Sequence, residues 1–360
     1  MPHQHLAVVV GVLDADSDGV CDQLDACGGT ALGCLVDADG CPTDTDGDGA
    51  GDWYEATASF TSPILASEKP KVPYPLPDPD GSTGAPDKPV RVYIMSGQSN
   101  MVGMGTVAGT GDDALETMTL RQNKFPNLVT SSGAWTARQD VYYRGVISAT
   151  ANKALGPGCG ADSGKIGPEL GFGQIMGWFH DESVLLLKSS IGNRALGWDI
   201  LPAGSARYEF GGFTYCGSGD AAEKWAVGSP APTWTTGSWY AGYEWDRFFR
   251  DESEWIHPHA AEVNVVDILD NWNTQYYGAT GKHFAGRDFQ IAGFVWWQGE
   301  RDTGDAGHSS RYEQNLVHLI NSLRSYYSNR YEGKVVANAP FVMATLGETS
   351  DTAAASNSKT

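Results

Sequence analysis

Positive charge is missing from the start of this chain: residues 1–68 contain neither Lys nor Arg. Over all 360 residues, 44 Asp and Glu outweigh 24 Lys and Arg, for a formal net charge of −20. Such a balance argues against nucleic acid or an anionic membrane as partner, because both would be repelled. A membrane-length apolar run is also missing at the N-terminus. Leu6–Leu13 is too short to span a bilayer, no Lys or Arg precedes it and no small-residue cleavage site follows before Asp14, so it makes a poor signal peptide as well. The expectation is that the natural N-terminus lies upstream or that this run is the remnant of a preceding segment. No two cysteines stand in Cys-x-x-Cys spacing, which counts against zinc.

What the first 61 residues do contain is carboxylate, crowded between residues 14 and 55. This much acid repels itself unless cations neutralise it. In Asp44-Thr45-Asp46-Gly47-Asp48-Gly49-Ala50-Gly51-Asp52-Trp53-Tyr54-Glu55, carboxylates stand at positions 1, 3, 5, 9 and 12 of a loop with Gly at position 6. Hard oxygen ligands at that spacing suit calcium, and the glycine permits the sharp turn. The frame recurs at Asp14, Asp16 and Asp18, continuing to Asp22 and Asp25. Asp14, Asp16, Asp18, Asp22, Asp25, Asp44, Asp46, Asp48, Asp52 and Glu55 are therefore the expected ligands of structural calcium. The segment resembles thrombospondin type 3 repeats, with Val36-Asp37-Ala38-Asp39-Gly40-Cys41-Pro42 as a joint between them. Four cysteines in the same stretch, Cys21, Cys27, Cys34 and Cys41, read as disulfides that replace a core too small to hold the chain. Three pairings are open to them. Cys159 and Cys216 are candidates for a further bridge between two loops, which would place maturation in an oxidising space.

At 360 residues the chain exceeds the usual size of one domain. The boundaries read as 1–61 for the calcium repeats, 62–89 for a Pro-rich semi-rigid linker and 90–360 for a catalytic domain, with an aromatic, Gly-rich insertion at about 200–256. In the last region, apolar runs alternate with helical spacing. Val90–Met95, Ser183–Ser190, Phe289–Trp297 and Ala339–Leu346 read as strands, and 168–180, 311–327 and, less cleanly, 260–276 as helices. That order argues for a three-layer α/β/α fold around a parallel sheet.

Two of these strands run into chemistry. Val90–Met95 leads to Ser96-Gly97-Gln98-Ser99-Asn100-Met101, where small residues allow a sharp turn and stand Ser99 at a strand's carboxyl end. Phe289–Trp297 ends in Gln298-Gly299-Glu300-Arg301-Asp302, and a carboxamide there can donate to an oxyanion. Between them, Ser183–Ser190 opens into Ile191-Gly192-Asn193-Arg194. Together with Gly167-Pro168-Glu169 ahead of a helix, these ordered blocks resemble the SGNH hydrolase superfamily, and within it carbohydrate esterase family 6 and the sialate O-acetylesterase-like domains, over about residues 90–345.

The resemblance implies a flavodoxin-like fold and a catalytic set of Ser99 as nucleophile with Gly192 and Gln298 as oxyanion donors. It puts Asn100, Arg194 and Glu300 against substrate. Asn193 stands where the family usually has a second glycine, and Asn tolerates left-handed backbone better than most residues. The general base of the family is a histidine near the domain's C-terminus, in Asp-x-x-His. Gly347–Thr360 contains no His, so the base is expected beyond residue 360, and His257, His259 and His308 read as surface or helix-start residues. The expected protein is a secreted or cell-surface serine esterase acting on acetylated polysaccharide or glycan, with calcium structural and no cofactor in the chemistry. Its alternative is an inactive carbohydrate-binding or adhesion module. Trp198, Trp234, Trp239, Tyr240, Tyr243 and Trp245 either stack on sugar rings or pack the insertion together.

Overall fold

The computed structural model describes residues 83–260, 262–274, 284 and 286–346. The ten expected calcium ligands, the four N-terminal cysteines, most of the linker and the tail 347–360 lie outside the described residues. The chain divides into Met1–Tyr74 and Pro75–Thr360, and every described residue belongs to the second unit.

In chain order the first half contributes β1 (Val90–Gly97), α1 (Ser99–Val102), β2 (Gly105–Thr106), β3 (Val141–Ile147), β4 (Asn152–Ala154), β5 (Lys165–Ile166), α2 (Pro168–Phe179) and β6 (Val184–Ser190). The second half adds β7 (Tyr208–Phe210), β8 (Phe213–Tyr215), β9 (Lys224–Ala226), α3 (Tyr243–Phe249), α4 (Val265–Asp270), β10 (Phe289–Trp297), α5 (Glu300–Thr303), α6 (Ala306–Arg330) and β11 (Phe341–Met343). Six strands form one sheet in the order β11-β10-β1-β6-β3-β4, parallel except for β4, which runs antiparallel to β3. The fold is thus α/β with a mixed sheet. Numbered along the chain, the five parallel strands run 2-3-1-4-5, which departs from the flavodoxin-like 2-1-3-4-5. Local apolar pattern does not encode which crossover goes where, and here β6 stands between β1 and β3 while β10 takes the other side of β1.

Alternation along the strands feeds two cores, one on each face. Val92, Ile94, Leu185, Leu187, Phe294 and Trp296 pack with residues of α3, α4 and α6, including Phe248, Ile268, Leu319 and Leu323. Met95, Val141, Tyr143, Leu186 and Val295 pack with Leu170 of α2. Burial on both faces is why β1, β6 and β10 read as continuous apolar runs. Leu319, Leu323 and Tyr327 recur every fourth residue down the buried stripe of α6, whose first turn is capped by the Asp305 side chain accepting from the Gly307 and His308 N–H groups.

Several expectations are corrected here. The aromatic, Gly-rich insertion at 200–256, whose sequence shows neither strand nor helix period for long, holds regular structure: β7, β8 and β9 form an antiparallel three-stranded sheet and α3 follows. Three-residue strands are too short to show a period. Tyr240, Tyr243 and Trp245 are buried and serve packing, while Trp198, Trp234 and Trp239 are half-buried. His257 and His259 do not start a helix; α4 begins later, at a capping box made by Asn264 and Asp267. Cys159 and Cys216 form no bridge. Both are buried free thiols, donating to the Gly156 and Gly197 carbonyls respectively. Burial pushes the Cys159 thiol up to about 11, so it stays protonated.

Candidate active site

The register of the sheet sets three strand ends level. Gly97 of β1 lies opposite Trp297 of β10 on one side and Ser190 of β6 on the other. The crevice at the carboxyl ends of parallel strands, where the connections diverge to opposite sides of β1, is where open α/β sheets bind ligands.

Each loop leaving these ends has a defined path. Gly97 has φ +153°, and a Cβ there would stand 2.1 Å from the Trp297 carbonyl oxygen, so only glycine fits. That closeness lets the Gln98 N–H donate to Trp297 O at 3.1 Å. One helical turn then begins at Ser99, with Val102 N–H bonded to Gln98 O and Gly103 N–H to Ser99 O. Ser99 is half-buried, and its own N–H, in the first turn, has no intrahelical acceptor.

The loop after β6 meets this turn directly. Ile191 N–H donates to Gly97 O at 3.4 Å, and a Cβ built on Gly192 would lie 3.8 Å from Ser99 Cβ. Asn193 takes the left-handed conformation, φ +58°, as its side-chain chemistry permits. Arg194 Nε donates to the buried Glu244 at 3.0 Å, and its guanidinium lies 4.9 Å from the Trp239 ring centroid. Burial holds the Glu244 carboxyl above the usual range, opposed by Arg247 and Arg194. Asp199 accepts from the Ala195 N–H at 2.7 Å, and burial raises it to about 6.

The loop after β10 completes the set. Asn100 Nδ2 donates to Glu300 Oε1, so two residues expected to face substrate are bound to each other. Among the described residues, Glu300 Oε2 is buried without a hydrogen-bond partner. Asp302 accepts from the Leu196 and Gly197 N–H groups, both at 2.8 Å, and burial pushes its carboxyl up against those hydrogen bonds. The Gln298 amide nitrogen, expected to face an oxyanion, is engaged by Asp302 Oδ2 at 2.6 Å, Arg194 O at 2.8 Å and Gln98 Oε1 at 3.3 Å.

Against the turn at Ser99–Val102 lies a pair that sequence reasoning missed. Lys188, fully buried on β6, donates to Glu169 Oε2 at 2.6 Å, Val102 O at 2.9 Å and Cys159 O at 3.1 Å. Burial lowers the Lys188 ammonium and raises the Glu169 carboxyl, each opposed by the other's charge. A lysine inside an otherwise apolar strand was the available signal, since it needs a buried anion.

Every described histidine has partners other than Ser99. His180 contacts the Tyr93 hydroxyl, His257 Gly219 O, His259 the Tyr243 hydroxyl and His318 Ala203 O. His308, fully buried, meets Glu223 Oε1 at 2.8 Å, and its Nδ1 abuts Gly197. Among the described residues, no group of three or more His, Cys, Asp or Glu side chains is arranged to hold a metal ion, and no helix is long and apolar enough to cross a membrane.

A search of curated proteins returned no match to the chain. Among solved structures, similarity is found to a protein from Arabidopsis thaliana at 14% identity, covering 72% of this chain and 74% of that one, with a TM-score of 0.36. NanS is similar at 11% identity, covering 71% and 68%, with a TM-score of 0.33. A carbohydrate acetylesterase from Xanthomonas citri is similar at 12% identity, covering 70% and 41%, with a TM-score of 0.31. Within the sequence, residues 267–359 match the family model described as carbohydrate esterase, sialic acid-specific acetylesterase.

Proposed function

We propose that this protein is a serine esterase that removes O-acetyl groups from a carbohydrate. The observation that carries the reading is the approach of Gly192 to Ser99 at the level carboxyl ends of β1, β6 and β10, and the family match over 267–359 supports it. Ser99 Oγ attacks the acetyl carbonyl, giving up its proton to an imidazole from outside the described residues. The Ser99 and Gly192 N–H groups hold the developing oxyanion. The ester C–O bond then breaks, the sugar oxygen leaves with that proton, and water releases acetate from the acyl-serine. Glu300 Oε2 accepts the imidazole's second N–H, which sets its tautomer. In this reading Arg194 and Trp239 line the sugar side, and structural calcium holds the N-terminal repeats of an extracellular protein.

A carbohydrate-binding protein without turnover is the second reading, favoured by the commitment of each described histidine to other partners. Acetate release from acetylated xylan and from O-acetylated sialic acid separates the two. Turnover abolished by Ser99→Ala supports the esterase, whereas glycan binding with no acetate release supports the binder.

A further inference from the structure

We infer that Lys188 is a positioning residue that holds the turn begun by Ser99 against the strand leading to Gly192; this rests on the esterase reading above. A lysine ammonium offers three N–H donors and no acceptor. Here the three donors meet three acceptors: Glu169 Oε2 at 2.6 Å, Val102 O at 2.9 Å and Cys159 O at 3.1 Å. Lys188, Val102 and Cys159 are all buried, and among the described residues no other hydrogen bond reaches either carbonyl oxygen. Withdrawing the ammonium therefore leaves two buried acceptors without a donor.

The bond to Val102 O bears on the placement of Ser99. α1 is a single turn, Ser99–Val102, with no side-chain cap at its N-terminus and Gly103 at its C-cap. So short a helix has no stability of its own and takes its position from what it is bonded to. Val102 O is one of its orphan C-terminal carbonyls, and Lys188 supplies the donor. Just beyond, Gly103 has φ +94°, and a Cβ there would stand 2.5 Å from Gly167 Cα, so the chain leaving α1 lies against the residues ahead of α2. Lys188 itself stands on β6, four residues before Gly192, with Met95 of β1 as its register partner. One ammonium thus ties the end of the turn that starts at Ser99 to the strand that delivers Gly192, and Glu169 is the counter-ion that lets a charge stand there. The effect on rate passes through the alignment of Ser99 with Gly192, where a misplacement of about 1 Å costs about 100-fold.

Native-state hydrogen exchange and acetate-release kinetics on the full 360-residue chain separate holding the turn from filling the core. In Lys188→Met/Glu169→Met both buried charges leave together, which is often close to neutral for stability, but Val102 O has lost its donor. The Val102 and Gly103 N–H groups, bonded to Gln98 O and Ser99 O, are expected to exchange about tenfold or more faster than in the parent while the amides of β10 keep their rates, and kcat for acetyl esters to fall about tenfold or more with KM little changed. Glu169→Gln makes the converse change. Its amide oxygen still accepts from Nζ, and if Nζ gives up its charge, the two remaining N–H groups still serve the two carbonyls. This variant breaks the ion pair, so it is expected to have the lower urea midpoint of the two and yet to protect Val102 and Gly103 as well as it protects β10, with the smaller loss of kcat. Protection of the turn and kcat that follow the urea midpoint across the two variants overturn the inference, as does a double variant with parent protection and parent kcat. Should the double variant not fold, Glu169→Gln decides: selective loss of protection at Val102 and Gly103 overturns the inference, and protection equal to that of β10 supports it. A parent chain that releases no acetate removes the esterase reading, and the exchange rates then decide alone whether Lys188 holds the turn.

Discussion

Replacing Lys188 by Met tests how the floor of the site is held. Its ammonium is fully buried, as is the carboxylate of Glu169, and it also satisfies two backbone carbonyls, Val102 O at the end of the turn begun by Ser99 and Cys159 O. Met keeps most of the stem's volume but leaves Glu169 with backbone donors alone, the Gly167 N–H and its own. Breaking a buried pair by removing one partner costs about 3–5 kcal/mol, whereas replacing both by apolar groups of similar size is often close to neutral. Lys188→Met should therefore lose about 3–5 kcal/mol in urea unfolding of the full chain. Lys188→Met/Glu169→Met should recover at least about 2 kcal/mol of that loss, a coupling within the range of contacting residues. A pH signature accompanies the single variant. Burial already raises the Glu169 carboxyl, and without the opposing ammonium it rises further. An acid whose folded value lies above its unfolded value binds more protons folded, so the variant's stability should increase as pH falls through the folded value towards the ordinary carboxylate range. A loss below about 1 kcal/mol for Lys188→Met, or a double variant no more stable than the single, would refute the reasoning.

Further predictions rest on other groups. Gly97→Ala forces a Cβ onto Trp297 O and places a side chain at positive φ, so it should cost about 2–4 kcal/mol and lower esterase kcat about 100-fold by spreading β1 and β10 where the site loops begin; a stable, fully active variant in melting and acetate-release assays contradicts this. Asp199 stands at about 6 against an ordinary 3.8, so its contribution to stability is complete below about 4 and is lost as pH rises through 6, a difference of about 3 kcal/mol. Urea midpoints from pH 4 to 7 should accordingly slope less in Asp199→Asn, whose carbonyl still accepts from Ala195. Calcium should change the far-ultraviolet circular dichroism of the intact chain, and Asp44→Asn/Asp46→Asn should weaken that response; a spectrum indifferent to calcium removes the assignment of residues 14–55.

Legibility in the sequence followed how a residue's neighbours are supplied. The apolar runs of β1, β6 and β10 announced themselves because central parallel strands are buried on both faces, and their ends carried Ser99, Gly192 and Gln298 to one crevice. The periodic α2 and α6 were legible for the same local reason, although α6 runs from Ala306 to Arg330, beyond the expected 311–327. Short strands such as β7, β8 and β9 were not, because three residues carry no period.

By itself the sequence determined which residues end the central strands, that the domain alternates strand and helix, and that a serine stands beyond β1. Only the tertiary structure decided the strand order, the separate burial of Cys159 and Cys216, the pairing of Lys188 with Glu169, and the commitment of the Gln298 amide to Gln98, Arg194 and Asp302. The physical reason is range. Apolar periodicity is set by neighbours a few positions away, while a buried polar group takes its partners from wherever the folded chain brings them; for the Gln298 amide, Gln98 lies 200 residues away and Arg194 lies 104.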